Sequence, residues 1–572
     1  MDKTYKKRIF FAFIMILLIY AYAIYSIVAI ISNIDYSLAV AKQHTAVLNL
    51  EKSRGTIYDC NMSPLTNDKS KTLAVAMPSE EVVQLLKDDI NIDANEFLSK
   101  GRPLFFYTDT KYESDYIDYF EVPDNSGIAS NLLGYTDYSG HGVTACELAF
   151  DNILSKNEGQ LNLLYNVDAL GKMIVGMERK YNNSLEDNSS GVLLSIDKRI
   201  QTICEKQAEK IEKGAIVVVS VPNCEIKASV SIPSFDANHI EDYLESENAP
   251  LINRAFTAFS PGSVMKTLVA TTALKYSYDT EKIYCCEGSI NVNGHDVDCF
   301  NSIKHSDVNM QTALEQSCNG YFIRLAQEIG AEKIWQNADI FEFGKPSVFY
   351  EGLQTESGVL SDKKALNNDL ALANFTIGQG DLTVTPIKMA EMINCFASDG
   401  IYRSARLYLG EYLADETLLE NYDNRQAVQA MNKSVAREIC KYMTTVVENG
   451  TAQKGEIEGA FVGAKTGTAQ TSIEGIVNYW YAGFVGDYKP EYVIVVLAEG
   501  AKNGQNKTAD VFKNIGNKIL NLDWFYPLIR VSTIHFFVNF IHYNKFFKTP
   551  QWCNKFVFKS VTSEPLHNYI FW

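Results

Sequence analysis

The first long pattern in the chain is an apolar one. Residues 9–31 contain no charged residue and no proline. A helix needs about 20 such residues to cross the hydrocarbon core of a bilayer, so the run predicts a transmembrane helix. Lys3, Lys6, Lys7 and Arg8 precede it and outnumber Asp2. The positive-inside rule then puts residues 1–8 in the cytoplasm and everything after the span outside. Ala21-Tyr22-Ala23 has the small residues of a cleavage site, but the apolar run continues past it, which reads as an uncleaved anchor. Val40, Leu48 and Leu50 predict a stalk helix within 32–53. The alternation of Arg54-Gly55-Thr56-Ile57-Tyr58-Asp59 predicts a strand running into a turn. Residues 181–190 are polar and turn-forming, as in a linker.

From residue 191 the pattern becomes regular. It predicts a strand at 192–196, a helix at 198–212, a β-branched strand at 214–221 and another strand at 227–232. Residues 264–274 form an apolar run without Gly or Pro, and 310–316 and 319–340 are helical in pattern. Pro386 marks a helix start, with further helices at 434–447 and 507–520. Strands are expected at 464–471, 479–486 and 492–498.

Composition changes this picture little. Hydrophobic residues make up 46% and charged residues 21%, as in ordinary globular proteins. The net charge of −17 argues against a nucleic-acid partner. Residues 523–572 differ, being basic and rich in Phe. They read as an extension outside the functional protein, or as a membrane-surface segment. The 11 cysteines leave at least one unpaired within the chain. Cys285, Cys286 and Cys299 are the closest group, and a bridge from Cys285 or Cys286 to Cys299 would close a short loop; unpaired thiols are the alternative. A metal site is not expected there, because no fourth ligand has clear spacing and His295 and His305 look isolated. His141, beside glycines, reads as an exposed turn residue.

The candidate chemistry begins at Pro261-Gly262-Ser263-Val264-Met265-Lys266. A turn delivers Ser263 to the start of a helix, and the spacing of three puts Lys266 on the same helical face. A serine hydroxyl needs an adjacent base. A lysine serves as that base when burial, a neighbouring cation or the helix dipole lowers its pKa. Two further motifs complete the set: Ser317-Cys318-Asn319 after the 310–316 helix, and Lys465-Thr466-Gly467-Thr468 at the start of a strand-rich end.

Together, in this order, these motifs resemble those of penicillin-binding proteins, with Cys318 in place of the usual Asp. The chain resembles a class B penicillin-binding protein, a D,D-transpeptidase of peptidoglycan synthesis. Arg54-Gly55-Thr56-Ile57-Tyr58-Asp59 is similar to the tract that opens the family's pedestal domain, although Cys60-Asn61-Met62 replaces the usual Arg-Asn-Gly. Asn131 to Tyr135, Gly140-His141-Gly142, Asn253-Arg254-Ala255, Thr376 to Gly380 and Thr383 to Pro386 also resemble family tracts. Gly463-Ala464 departs from the Gly that often directly precedes the Lys.

The resemblance implies an α+β fold: a penicillin-binding transpeptidase domain over 191–522, with an antiparallel sheet flanked by helices plus a helical lobe. A smaller mixed pedestal domain and linker would occupy 32–190, behind a cytoplasmic tip (1–8) and one transmembrane helix (9–31). The role of 523–572 stays open. Ser263 would be the nucleophile, Lys266 the general base, Ser317 a proton relay, Asn319 an orienting amide and Lys465 a nearby positive charge. Thr466 and Thr468 would bind the substrate carboxylate, and Gly467 would leave room for the substrate backbone. No metal or organic cofactor is implied. Implied partners are peptidoglycan stem peptides, β-lactams and a membrane glycosyltransferase of the shape, division or sporulation type. The alternatives are a β-lactam-hydrolysing or β-lactam-sensing serine enzyme and a non-enzymatic scaffold. Glu420 and Asn424 have a lactamase-like spacing but fall about a hundred residues past Asn319.

Overall fold

A computed structural model describes residues 3–32 and 44–522, apart from 88, 91, 92, 157, 186–189, 414–416, 421, 422, 472, 474 and 503–506. The basic tail 523–572 and residues 33–43 of the expected stalk lie outside the described residues. Helix α1 (Lys3–Ser32) contains the stretch Lys7–Ile30, which is long and apolar enough to cross a membrane.

The expected stalk helix is corrected within the described residues: Thr45–Ser53 is a strand. Its apolar positions Ala46, Leu48 and Leu50 alternate, and a period of two aligns them on one face. Leu48 lies opposite Leu163 of Gly159–Asn166, which also pairs with Lys180–Asn183. The expected linker therefore begins as a polar edge strand. A second sheet has Lys69–Ala76 between Leu104–Tyr107 and Ile117–Asp124. Leu50, Leu73, Val75, Val122, Leu161 and Leu163 form one apolar cluster joining the two sheets.

Backbone pairing ties this N-terminal part to the C-terminal part of the chain. Thr56–Tyr58 runs parallel to Gly191–Leu194 in a four-stranded sheet with Tyr408–Tyr412 and Leu418–Glu420. Arg54 meets Glu147 at 3.2 Å and Asp151 at 2.9 Å. Asp59 accepts a bond of 2.9 Å from the backbone N–H of Lys198, at the start of helix α2 (Lys198–Ala208).

The central sheet is wholly antiparallel. Its strands are β1 (Gly214–Ser220), β2 (Ile226–Ile232), β3 (Phe461–Gln470), β4 (Ile476–Gly486) and β5 (Tyr492–Lys502), in the spatial order β2-β1-β5-β4-β3. Strand β5 reads as a continuous apolar run because it is buried between neighbours. Helix α2 and the last helix, Thr508–Leu520, pack together against the sheet; Pro386–Ala397 and Lys433–Asn449 form a second packed pair against it. The helical lobe is built around α3 (Met265–Lys275), whose residues from Met265 to Ala273 are all buried. A helix buried on every side has to sit inside other helices. Here those are α4 (Asn319–Ile329), Ala331–Ile340, Lys433–Asn449 and Asp369–Thr376. The expected single helical stretch 319–340 is broken at Gly330, which takes φ +88°.

Candidate active site

The three motifs reach one place from three elements. Ser263 lies in a single 3-10 turn, Gly262–Val264, that runs directly into α3. Gly262 has φ +59°, and a Cβ there would meet the Thr468 carbonyl oxygen at 2.8 Å. The turn is therefore pressed against β3, and only glycine fits. On its other side the Gly262 N–H donates to the Gly378 carbonyl at 3.0 Å, so the Thr376 to Gly380 tract borders the turn. Phe259 and Val384 exchange two backbone bonds of 2.9 Å, which fix the approach to the turn.

Lys266, one helical turn on, is fully buried. Its Nζ lies 3.0 Å from Ser263 Oγ, 3.1 Å from Ser317 Oγ, 2.6 Å from the Ser317 carbonyl and 2.6 Å from Asn319 Oδ1. Ser317 has φ +56°, an uncommon conformation for a residue with a Cβ, and such strain concentrates at functional sites. Asn319 is held from its other end, where Nδ2 donates to the Asp298 carbonyl at 2.6 Å. Lys465, fully buried on β3, has its Nζ 3.1 Å from Ser317 Oγ and 2.9 Å from the Thr466 carbonyl. Ser317 Oγ thus sits between two lysine amines.

Neither lysine forms an ion pair among the described residues. Burial pulls the Lys266 amine down to about 8. Lys465 is also pushed well below the usual lysine range, first by burial and then by the charge of Lys266. The pair therefore avoids carrying two full charges at neutral pH. By contrast Ser263, Ser317, Asn319, Thr466 and Thr468 are each half-buried, so hydroxyl and amide groups form the accessible surface over two hidden amines.

Thr466 and Thr468 fall on one face of β3, with Lys465 and Gly467 on the other. Thr466 Oγ1 lies 2.9 Å from Thr451 Oγ1. β3 is an edge strand of the sheet, with β4 its sheet neighbour. Gly467 has a role that its motif does not suggest. A Cβ there would lie 2.7 Å from the Pro261 carbonyl oxygen and 3.0 Å from Val264 Cγ2. The glycine makes room for the nucleophile turn itself. Trp480 carries no signal in the sequence either: buried on β4, its indole N–H donates to the Ser260 carbonyl at 2.9 Å. Trp480, Thr451 and Asp298 belong to no motif, and their contacts are made only by distant segments meeting.

Of the two readings of these cysteines, unpaired thiols are what the structure has. Cys286 and Cys299 are both free thiols, with sulfurs 3.7 Å apart, so the bridge does not form. Nor is the group short of a fourth ligand, since His305 and Cys318 join it.

A five-stranded antiparallel sheet with a helical lobe and these three motifs in one cleft mark the class of penicillin-binding transpeptidases. Residues 214–520 match the penicillin binding protein transpeptidase domain family; the chain belongs to that family. Peptidoglycan D,D-transpeptidase FtsI of Buchnera aphidicola is 25% identical over 521 residues, spanning 86% of this chain and 84% of that protein. Stage V sporulation protein D of Bacillus subtilis is 26% identical over 396 residues, or 65% of this chain and 59% of that one. Among solved structures, penicillin-binding protein 3 of Mycobacterium tuberculosis in complex with ampicillin superimposes with a TM-score of 0.62. It is 20% identical, and the match covers 84% of this chain and 99% of that one, which establishes a shared fold.

Proposed function

We propose that this chain is a class B penicillin-binding protein: a membrane-anchored D,D-transpeptidase that cross-links peptidoglycan stem peptides through an acyl-enzyme at Ser263. The observation that carries this reading is the set of short distances around Lys266 Nζ. A neutral amine has two N–H groups and one lone pair. The two carbonyl-type acceptors at 2.6 Å, Ser317 O and Asn319 Oδ1, take the two N–H groups. The rest of the amine faces two hydroxyls, Ser263 Oγ at 3.0 Å and Ser317 Oγ at 3.1 Å, and a lone pair turned to Ser263 can take its proton. That is the geometry of a general base beside its nucleophile.

In the proposed reaction Ser263 Oγ attacks the carbonyl of the penultimate D-Ala while Lys266 takes its proton. The backbone N–H groups of Ser263 and Thr468 receive the oxyanion, a contribution worth several kcal/mol in such sites. Support for this pairing is the direct contact between Gly262 and the Thr468 backbone. Ser317, bridging both lysines, returns a proton to the leaving amine of D-Ala. Lys465 donates a hydrogen bond to Ser317 Oγ at 3.1 Å, and Asn319 holds Lys266 in place. The substrate lies along the β3 edge, where Thr466 and Thr468 take its carboxylate. The amine of a second stem peptide then attacks the ester, forms the cross-link and frees Ser263. β-Lactams resemble the D-Ala-D-Ala end and acylate the same oxygen.

Helix α1 is the proposed anchor, with residues 1–8 in the cytoplasm and the catalytic part outside. The same reading divides the chain into a pedestal over 32–190 and a transpeptidase domain over 191–522. It also implies a membrane glycosyltransferase partner of the shape, division or sporulation type. The lactamase alternative gains no support, because Glu420 lies in Leu418–Glu420, paired with Tyr408–Tyr412 in a different sheet.

The test is labelling with fluorescent penicillin, wild type against Ser263→Ala, followed over time. A stable label that requires Ser263 is expected. Rapid loss of label would identify a hydrolase, and no label a scaffold.

A further inference from the structure

A cavity of about 330 Å³ lies between the N-terminal part of the chain and the segment that leads to the nucleophile turn. That volume falls in the range of small-molecule sites, about 300–1,000 Å³. One wall carries Asn131 and Tyr135, in and just after the short helix Ser130–Leu133. Another carries Asn253 and Phe256, the latter five residues before Pro261. Phe235 lines it from the residues after β2, and the exposed Gln354 marks its mouth.

The walls are fixed by their own hydrogen bonds. Asn131 Nδ2 donates to the Pro250 carbonyl at 2.6 Å, and Asn253 Nδ2 donates to the Asn131 carbonyl at 3.0 Å. The Phe256 carbonyl accepts from the Glu356 N–H at 2.9 Å, and the Phe256 ring lies 5.3 Å from that of Phe349. These groups are spent on holding the cavity open, as in a preformed binding site.

Other polar groups of the lining are left over for a ligand. Tyr135 Oη, Thr144 Oγ1 and the Gln354 amide make no hydrogen bond among the described residues. They offer hydroxyl and amide donors and acceptors. The rest of the lining is apolar, with the rings of Tyr135 and Phe235 meeting edge to face at 6.1 Å between centroids. None of the lining residues is charged. An anion or a cation would lose its hydration there without a counter-charge. A hydrocarbon would leave the free hydroxyls and amide unpaired. A pyranose sugar meets both conditions: it is neutral, its faces present C–H groups to aromatic rings, and its rim carries hydroxyls.

We infer that this cavity binds a neutral N-acetylhexosamine of a glycan strand. The sugar class follows from the lining; the N-acetyl group rests on the proposed peptidoglycan substrate, whose strands are built of such sugars. The C–H face of the ring packs on the aromatic side chains, and its hydroxyls pair with Thr144 and Gln354. The acetyl methyl has Leu251 and Leu353 to pack against, and the acetamido oxygen accepts from Tyr135 Oη. The site holds a strand by its sugar, separately from the cleft that takes the stem peptide.

The test uses the full-length chain in a detergent without a sugar headgroup and follows binding of N,N′-diacetylchitobiose by saturation-transfer NMR. Saturable binding is expected in the wild type. Gln354→Ala and Tyr135→Phe each remove one polar partner and should each weaken binding about fivefold, the worth of one hydrogen bond. Tyr488→Ala, at an exposed residue on the turn between β4 and β5, should leave it unchanged. Cellobiose, which has the same paired rings without acetamido groups, should bind more weakly. No saturable binding, or binding that neither cavity variant changes, would overturn the site. Cellobiose bound as tightly would overturn the N-acetyl assignment. Fluorescent penicillin labelling is read on the same preparations. A chain that takes the label but binds no disaccharide loses this site alone. One that binds the disaccharide and never takes the label refutes the transpeptidase reading and leaves the sugar site standing.

Discussion

Two buried lysine clusters in this molecule invite comparison. Lys388 and Glu391 are one turn apart on Pro386–Ala397, both buried, with Nζ and Oε2 2.8 Å apart. Tyr402 Oη donates to Glu391 Oε2 at 2.9 Å, and Ser347 Oγ and the Ala405 N–H donate to Oε1 at 2.7 and 2.8 Å. The ammonium there has an opposite charge, and no substrate can reach it. Lys266 and Lys465 are buried as deeply, yet they face only hydroxyls and carbonyls. A buried ammonium is stabilised by a carboxylate and, without one, is driven towards the neutral amine. The first cluster is internally paired; the second gives up electrostatic pairing and, in the proposed mechanism, gains a base.

The largest effect expected is on chemistry. Lys266→Ala should cut the rate of Ser263 acylation by about a thousandfold or more, as loss of a general base does elsewhere. Its melting temperature should fall less than that of Glu391→Ala. Glu391→Ala strands a buried ammonium and should lose about 3–5 kcal/mol of stability, while the protein that stays folded acylates at the normal rate. Denaturant melts and stopped-flow labelling of both variants check this; reversed effects would break the distinction.

A smaller effect is expected at the turn. Gly467→Ala puts a methyl 2.7 Å from the Pro261 oxygen and must shift the turn that carries Ser263. A displacement of the order of 1 Å costs about a hundredfold in such sites. The drop should appear in the acylation rate constant rather than in saturation by substrate.

pH sharpens the comparison further. In the proposed mechanism Lys266 acts as the neutral amine, and burial lowers its pKa to about 8. Acylation should therefore rise about tenfold per pH unit below 8 and level off above it, since only the fraction deprotonated reacts. The linked stability runs the same way: the folded form binds fewer protons, so the penalty of burying this amine shrinks as pH rises above about 8. Trp480→Phe should have the mildest effect. It removes one hydrogen bond to Ser260, worth about 1 kcal/mol, and should slow acylation only a few-fold.

Much of the site is legible in the sequence because its chemistry is local. Ser263 and Lys266 share a helical face by spacing alone, and β-branched runs mark the central strands. What stays hidden depends on pairing at long range. Val40, Leu48 and Leu50 suggest a helix through Thr45–Ser53, although Ala46, Leu48 and Leu50 alternate; the strand wins because Leu48 pairs with Leu163, about 115 residues away, and Leu50 packs in the same apolar cluster. Lys180–Asn183 looks like a linker because an edge strand can be polar. In the sequence Cys318 is only a substituted motif residue, and its relation to Cys286, Cys299 and His305 exists only once the lobe is folded.

The most direct measurement is peptide mapping by mass spectrometry after brief exposure to penicillin. The account predicts one adduct, on the peptide containing Ser263, stable over the time course and absent from Lys266→Ala at the same exposure. An adduct on any other residue, or equal labelling of Ser263 without Lys266, would contradict it.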